Sequence, residues 1–267
     1  MQSSIGSAEA HNVRVEDVDN PTLQAGLEAA NEKRFGDAER FFNIVLSKDH
    51  DSASAWSNLG NVHLSLGRTT QALKDFSNAI ELASDAPVPY LNRALAYEQL
   101  GVDADTSGDS SQAAGYFRQA IDDCDAAVQR DPKEFAAWFN KGNVEARLQQ
   151  YDSAFDSYRQ AADLAPGIIG YRLREATTMY QLDGQQQDAS RIMRSVTRKN
   201  PGYAEAHAAL AAAEWQAGRR SQAEEQFAIA SNLDENWSDP LPYISKSMRW
   251  PPRLVSAMQS FLNMSAS

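Results

Sequence analysis

The chain has 267 residues, 42% of them hydrophobic, with a formal net charge of −11 and a pI of about 4.8. An acidic surface lacks the cationic face that displaces counterions from phosphates, which argues against a nucleic-acid partner. No run approaches the roughly 20 apolar residues that span a bilayer. The single cysteine, Cys124, can form neither an internal disulfide nor a zinc cluster by itself.

In chain order, residues 1–18 are acidic, without the apolar core of a secretory signal or the arginines of a transit peptide, and are expected to form a flexible tail. From residue 19 the pattern is helical, because β-type alternation nearly disappears and a longer period takes over. Trp56, Leu59, Gly60, Ala72, Phe76 and Ala79 set a register. It returns as Gly26, Ala38 and Phe42, as Trp138, Gly142, Ala154 and Tyr158, and as Leu210, Ala211, Ala223 and Phe227. Six units follow, over residues 19–52, 53–86, 87–134, 135–168, 169–203 and 204–235.

Each unit reads as two antiparallel helices. Small residues such as Gly60 and Ala94 allow close approach, Trp56, Tyr90 and Trp138 fill the gap between the two helices, and Phe76, Tyr158 and Phe227 plug the contact to the next unit. Leu66–Gly67, Leu100–Gly101, Asp183–Gly184 and Ala217–Gly218 are expected to stop first helices. The third unit carries an insertion at about 102–114, rich in Asp, Ser and Gly, expected to enlarge its internal turn. Residues 236–267 read as a Pro-containing linker and a C-terminal helix with the stripe Leu254, Val255, Met258, Phe261 and Leu262. That helix either caps the last repeat or docks on a membrane or partner through Lys246, Arg249 and Arg253.

The pattern W-x2-L-G, then A-x3-F, then A and P resembles the tetratricopeptide repeat (TPR) across residues 19–235. The resemblance implies an all-α, right-handed superhelical solenoid of helix-turn-helix repeats with a C-terminal capping helix. His63, Cys124, Leu173 and His207 depart from the family's aromatic positions, which implies looser first-helix packing in the last two units. The family lines its concave groove with first-helix residues, which here implies a partner-binding set of Leu91, Leu95, Phe139, Asn143, Arg147, Tyr171, Arg174 and Trp215. Aromatic and arginine side chains are common interface anchors, although Leu91, Leu95 and Phe139 could equally pack against neighbouring helices. The lysines of the family's chaperone-tail clamp are missing: its places hold Ser57, Asn61, Asn92, Ala136 and Asn140, so no such clamp is expected. Asn58, Asn92 and Asn140 recur at one repeat position, as family structure or as donors to a bound peptide.

No catalytic motif is present, the histidines are scattered singly, and Asp122, Asp123 and Asp125 would raise the Cys124 thiol pKa. Asp103, Asp105 and Asp109 lack the bidentate Glu of a calcium loop. The expectation is a non-enzymatic scaffold for a protein or peptide, without metal or cofactor, with membrane contact only through the C-terminal helix. The alternative is a self-associating or regulatory subunit that binds through the acidic insertion or that helix. The segment RWPPRLVSAMQSFL and residues 85–101 also resemble TPR proteins of cyanobacteria and chloroplasts. That implies a chloroplast location, stromal or thylakoid-associated, and an assembly factor for a photosynthetic complex; the alternative location is cytoplasmic.

Overall fold

The computed structural model describes residues 20–265; the expected tail at residues 1–18 lies outside them. The described residues form α-helices with one 3-10 turn and no strand. Two compact units divide at Leu148 and Gln149.

Unit 1 contains α1 (Pro21–Asn31), α2 (Phe35–Lys48), α3 (Ala53–Ser65), α4 (Thr69–Leu82), α5 (Pro87–Thr106), α6 (Ser110–Arg130) and α7 (Phe135–Arg147). Helix starts follow local chemistry. The Asn20 side chain accepts from the Thr22 and Leu23 N–H groups ahead of Pro21, Ser52 accepts from Ala55, and Asp109 from Gln112. First helices end in one recurring turn. In it the N–H of Arg34, Arg68 and Asp109 donates back to the carbonyl of Ala29, His63 and Ala104 respectively. The residue before that donor has positive φ: Gly67 at 73° and Gly108 at 85°, but Lys33 at 60°.

Small residues and rings meet within each hairpin. A Cβ on Gly26, Gly60 or Gly101 would sit 2.4 to 2.6 Å from the ring of Phe42, Phe76 or Phe117. The Phe rings thus fill the gap inside their own hairpin. Phe42 also joins Leu59 and Val62 of the next first helix, so it bridges units as the sequence implies.

Gly101 corrects one expectation. The Leu100–Gly101 pair does not stop a helix but lies inside α5. The insertion lengthens both arms of the third hairpin, and the turn itself stays tight at Ser107–Asp109. Gly101 and Phe117 form an added layer beyond Ala94 and Cys124, and Phe117 shares one cluster with Ala94, Ala104, Ala113, Ala120 and Cys124. Asp103 accepts from Gln99 along α5 and Asp109 caps α6, so the acidic stretch is mostly helix surface.

Unit 2 contains α8 (Tyr151–Leu164), α9 (Ile169–Gln181), α10 (Gln186–Lys199), α11 (Ala204–Gln216), α12 (Arg220–Leu233), a 3-10 turn (Glu235–Ser238), α13 (Pro240–Ser247) and α14 (Pro252–Ser265). Gly218, at φ 75°, repeats the turn of unit 1, with Arg219 N–H donating to the Glu214 carbonyl. One large core runs from Leu173 through Met193 and Leu210 to Trp237, Trp250, Leu254, Met258 and Phe261.

A further regularity concerns the large residue early in each first helix. The ring N–H of Trp56 donates to the His50 carbonyl, that of Trp138 to the Pro132 carbonyl, and the Tyr90 hydroxyl to the Ser84 carbonyl. Each tie reaches six residues back, locking a first helix to the loop before it. His207 makes the same tie, its Nε2 lying 3.1 Å from the Pro201 carbonyl. The sixth unit is therefore not loosened there as the pattern implied: imidazole replaces indole in reach as well as position. Leu173 makes no such bond and is wholly buried instead.

Candidate functional site

The residues singled out by the repeat pattern fall on the first helices, and the structure buries most of them. Leu91 packs in a cluster with Tyr90, Ala127, Ala136 and Ala137. Phe139, Asn143, Tyr171 and Arg174 are buried too, whereas Leu95 and Trp215 are half-buried and Arg147 keeps 30% of its side chain exposed.

In unit 1, Arg147 Nε donates to Glu98 Oε1 at 2.9 Å, so the end of α7 is tied to α5 one turn from Leu95. Its guanidinium also lies 5.9 Å from the Phe117 ring centroid, in the added layer of the long hairpin. Arg93 grips Asp123 with two hydrogen bonds of 2.8 and 2.7 Å, joining α5 to α6. Burial pushes the Asp123 carboxyl above its usual range, and the Arg93 bonds only partly offset this. Between α3 and its neighbours, His63 Nδ1 lies 2.5 Å from Asp75 Oδ2 and Nε2 lies 3.4 Å from Glu39 Oε1. His63 is therefore a cross-repeat linker. Burial likewise raises the Asp75 carboxyl, against the opposing bond from His63.

The recurring asparagines separate. Asn58 Nδ2 donates to the Ser54 carbonyl and Asn92 Nδ2 to Ser57 Oγ, both inside the protein. Asn140 Nδ2 is buried with no acceptor. Cys124 is fully buried and its thiol is pushed well up, by burial first and by Glu98, Asp123 and Asp125 next, which makes it a poor nucleophile.

In unit 2 the site is an ion pair closed from above. Arg174 on α9 lies 2.9 Å from Glu205 on α11, and both side chains are 4% exposed. Glu205 further accepts from the Tyr203 hydroxyl at 3.2 Å and from the Trp250 indole N–H at 3.0 Å. Burial and the adjacent Glu205 carboxylate hold the Tyr203 phenol far above its usual range. One turn from the end of α11, Glu214 receives Arg194 at 2.6 Å and a second hydrogen bond from Arg219. Burial alone would raise the Glu214 carboxyl, but the two guanidiniums outweigh it and hold it low.

The C-terminal segment lies on this same first-helix face. Trp215 stacks edge-on against Phe261 at 5.3 Å and its indole N–H donates to Ser260 Oγ. Phe227 meets Phe261 at 4.9 Å. Arg253 N–H donates to Gln181, and its guanidinium reaches the Leu182 carbonyl and Asp183. Sequence reasoning found the stripe Leu254, Met258 and Phe261 but not its seat, and it missed Trp250. The signal for the seat was the Ala-rich sequence of α11, smooth enough to receive a helix.

Among the described residues, no group of three or more His, Cys, Asp or Glu could hold a metal, and no helix is long and apolar enough to cross a membrane. The geometry offers recognition surfaces and ion-pair struts.

Comparison with known proteins agrees with the repeat. Two family models, both described as tetratricopeptide repeat, match residues 51–126 and 98–167. Human Tetratricopeptide repeat protein 12 is 26% identical over 55% of this chain, which spans 20% of that protein's length. Human Superkiller complex protein 3 is 29% identical over 34% of the chain, which spans 6% of that protein. Photosystem I assembly protein Ycf3 of Synechococcus sp. (strain CC9605) is 27% identical over 40% of the chain and 64% of its own length. Among solved structures, YrrB, a TPR protein with an unusual peptide-binding site, superposes with a TM-score of 0.58 at 19% identity, covering 73% of this chain and 93% of that one. The Cut9–Hcn1 structure of the APC/C gives 0.63 at 13% identity, over 96% of this chain and 47% of that one. These likenesses concern the fold, and with the helical hairpins and their spacing they lead to one assignment: the chain belongs to the tetratricopeptide repeat superfamily, as an all-α solenoid of helix-turn-helix repeats.

Proposed function

We propose that this protein is a non-enzymatic scaffold that binds an extended segment of another protein on the first-helix face of unit 1. TPR proteins generally mediate protein–protein interaction and bind protein or peptide partners, and the family is typically non-enzymatic. The observation that carries the reading is the half-buried Leu95 on α5 together with the part-exposed Arg147 of α7, whose guanidinium is bonded to Glu98, one turn along α5 from Leu95. Glu98 orients the guanidinium, so the anchor is preorganised and little side-chain freedom is lost on binding. Phe139 and Asn143, buried on the same helix as Arg147, support that surface from below. The likeness to Ycf3, a photosystem I assembly protein, supports a role in assembling a photosynthetic complex and a chloroplast or thylakoid-associated location.

The test is affinity purification from the native source with wild type and with Leu95→Ser plus Arg147→Ala. The variant is expected to lose at least nine-tenths of its specific partners, photosystem subunits among them, while its melting temperature holds. Recovery of the same partners in the same amounts would show that the surface is not used.

A further inference from the structure

Unit 2 covers its own first-helix face. α14 lies along α11 and reaches α9, the two first helices whose family counterparts line a groove. Trp250, Leu254, Ala257, Met258 and Phe261 are all buried there. The receiving helix matches this use: α11 is buried from Glu205 through Glu214, and its surface is largely the methyl groups of Ala208, Ala209, Ala212 and Ala213. Its two buried carboxylates, Glu205 and Glu214, are neutralised by Arg174 and by Arg194 and Arg219, so the helix is covered on every side. The first helices of unit 1 instead keep Asn61, Leu95 and Arg147 at least partly open to solvent.

The covering helix is the last element of the unit and is attached at one end only. It joins α13 through the four residues Met248–Pro251 and starts at Pro251 and Pro252, so its departure would break a polar tie from this linker to the repeats, that of Trp250 to Glu205. One polar contact at its first turn is wet, the pair of Arg253 with Asp183, whose side chain is 95% exposed; the bonds of Arg253 to Gln181 and the Leu182 carbonyl are half-buried. Beside that turn a cleft of about 500 Å³ runs between α14 and the ends of α9 and α11, lined by Tyr180, Gln216, Arg219, Arg253 and Ser256. The seal is therefore tight at Leu254, Met258 and Phe261 and open along one flank.

We propose that the α9–α11 face is a helix-receiving groove, held in the resting chain by Trp250–Phe261. Its external ligand is an amphipathic helix with apolar side chains at i, i+3, i+4 and i+7, the pattern of Leu254, Ala257, Met258 and Phe261, and it enters by displacing α14. This site is separate from the unit 1 surface, so the two stand or fall independently.

The probe is a labelled peptide of residues 248–265, titrated against the full chain. Intact protein is expected to bind it at least tenfold more weakly than the full-length Phe261→Glu variant, whose own helix is loosened. The peptide carrying Leu254→Asp is expected not to bind the variant. Equal binding by intact and variant chains, with helix content retained, overturns the proposal. If Phe261→Glu unfolds unit 2, hydrogen exchange of the intact chain decides: amides of α14 exchanging at least tenfold faster than those of α11 support displacement, and equal protection overturns it. A stable dimer of the intact chain with α14 exchanged between copies would assign the groove to a second copy and overturn it as well.

Discussion

Gly60 shows how a single position carries the repeat. A methyl group there would stand 2.5 Å from the Phe76 ring, which is wholly buried and has nowhere to go. Gly60→Ala is therefore expected to destabilise by about 1–3 kcal/mol through overpacking. Gly36, in α2, has no neighbour within 4 Å of its would-be Cβ. Gly36→Ala should stabilise by about 0.5–1 kcal/mol, because only the helix-propensity gain remains. Urea unfolding of the two variants separates these outcomes, and two shifts of the same sign would contradict the close-approach argument. Gly60 was legible in the sequence because Phe76 follows at a fixed interval. Arg174 was not. Its repeat position placed it on a binding face, but its real partner, Glu205, lies 31 positions further along, and Trp250, which bonds that same carboxylate, lies 76 further along. No local pattern connects them.

At the level of elements, the third hairpin is the informative case. Its Asp-, Ser- and Gly-rich insertion reads as a widened turn, since those residues favour turns. The chain instead adds about two helical turns to each arm and keeps the tight Ser107–Asp109 reversal. What composition hid was the pairing of Gly101 with Phe117, the same small-against-ring contact as Gly60 with Phe76, one layer further out. Equal additions to both arms leave every inward face where it was. Excising residues 99–105 together with 111–117 should thus give a folded protein with cooperative unfolding. Excising 99–105 alone removes Gly101 and strands the Phe117 ring, and should cost roughly 1.5–3 kcal/mol more, the burial energy of such a ring. Circular dichroism with urea unfolding checks this, and equal stability of the two deletions would contradict the paired-layer reading.

For the whole molecule, the buried carboxylates set a pH dependence of two signs. Asp75, Asp123 and Glu175 are all raised, chiefly by burial. The folded chain binds their protons more readily than the unfolded chain, so their contribution is fully present below about pH 4 and fades as pH rises through their raised values. Glu214 is lowered, so its contribution is present above about pH 4.5 and is lost as pH falls through its folded value. Denaturant unfolding between pH 3 and 8 should show Asp123→Asn flattening the less acidic limb and Glu214→Gln flattening the acid limb. Interchanged effects would reject the assignment. The helical class and the terminal stripe were readable from periodicity. These ion pairs were not, because they join different repeats and depend on burial that only the stacked helices create.

Trp250 also imposes an order of events during synthesis. Residues 20–148 possess all the helices of the first unit as soon as they emerge from the ribosome. Arg174 and Glu205 emerge much earlier than the indole that completes their bonding and the helix that shelters α11. The second unit therefore waits with a wet charge pair and a bare alanine surface until residue 261 has been made, and that interval is when a chaperone or a partner helix finds it most open.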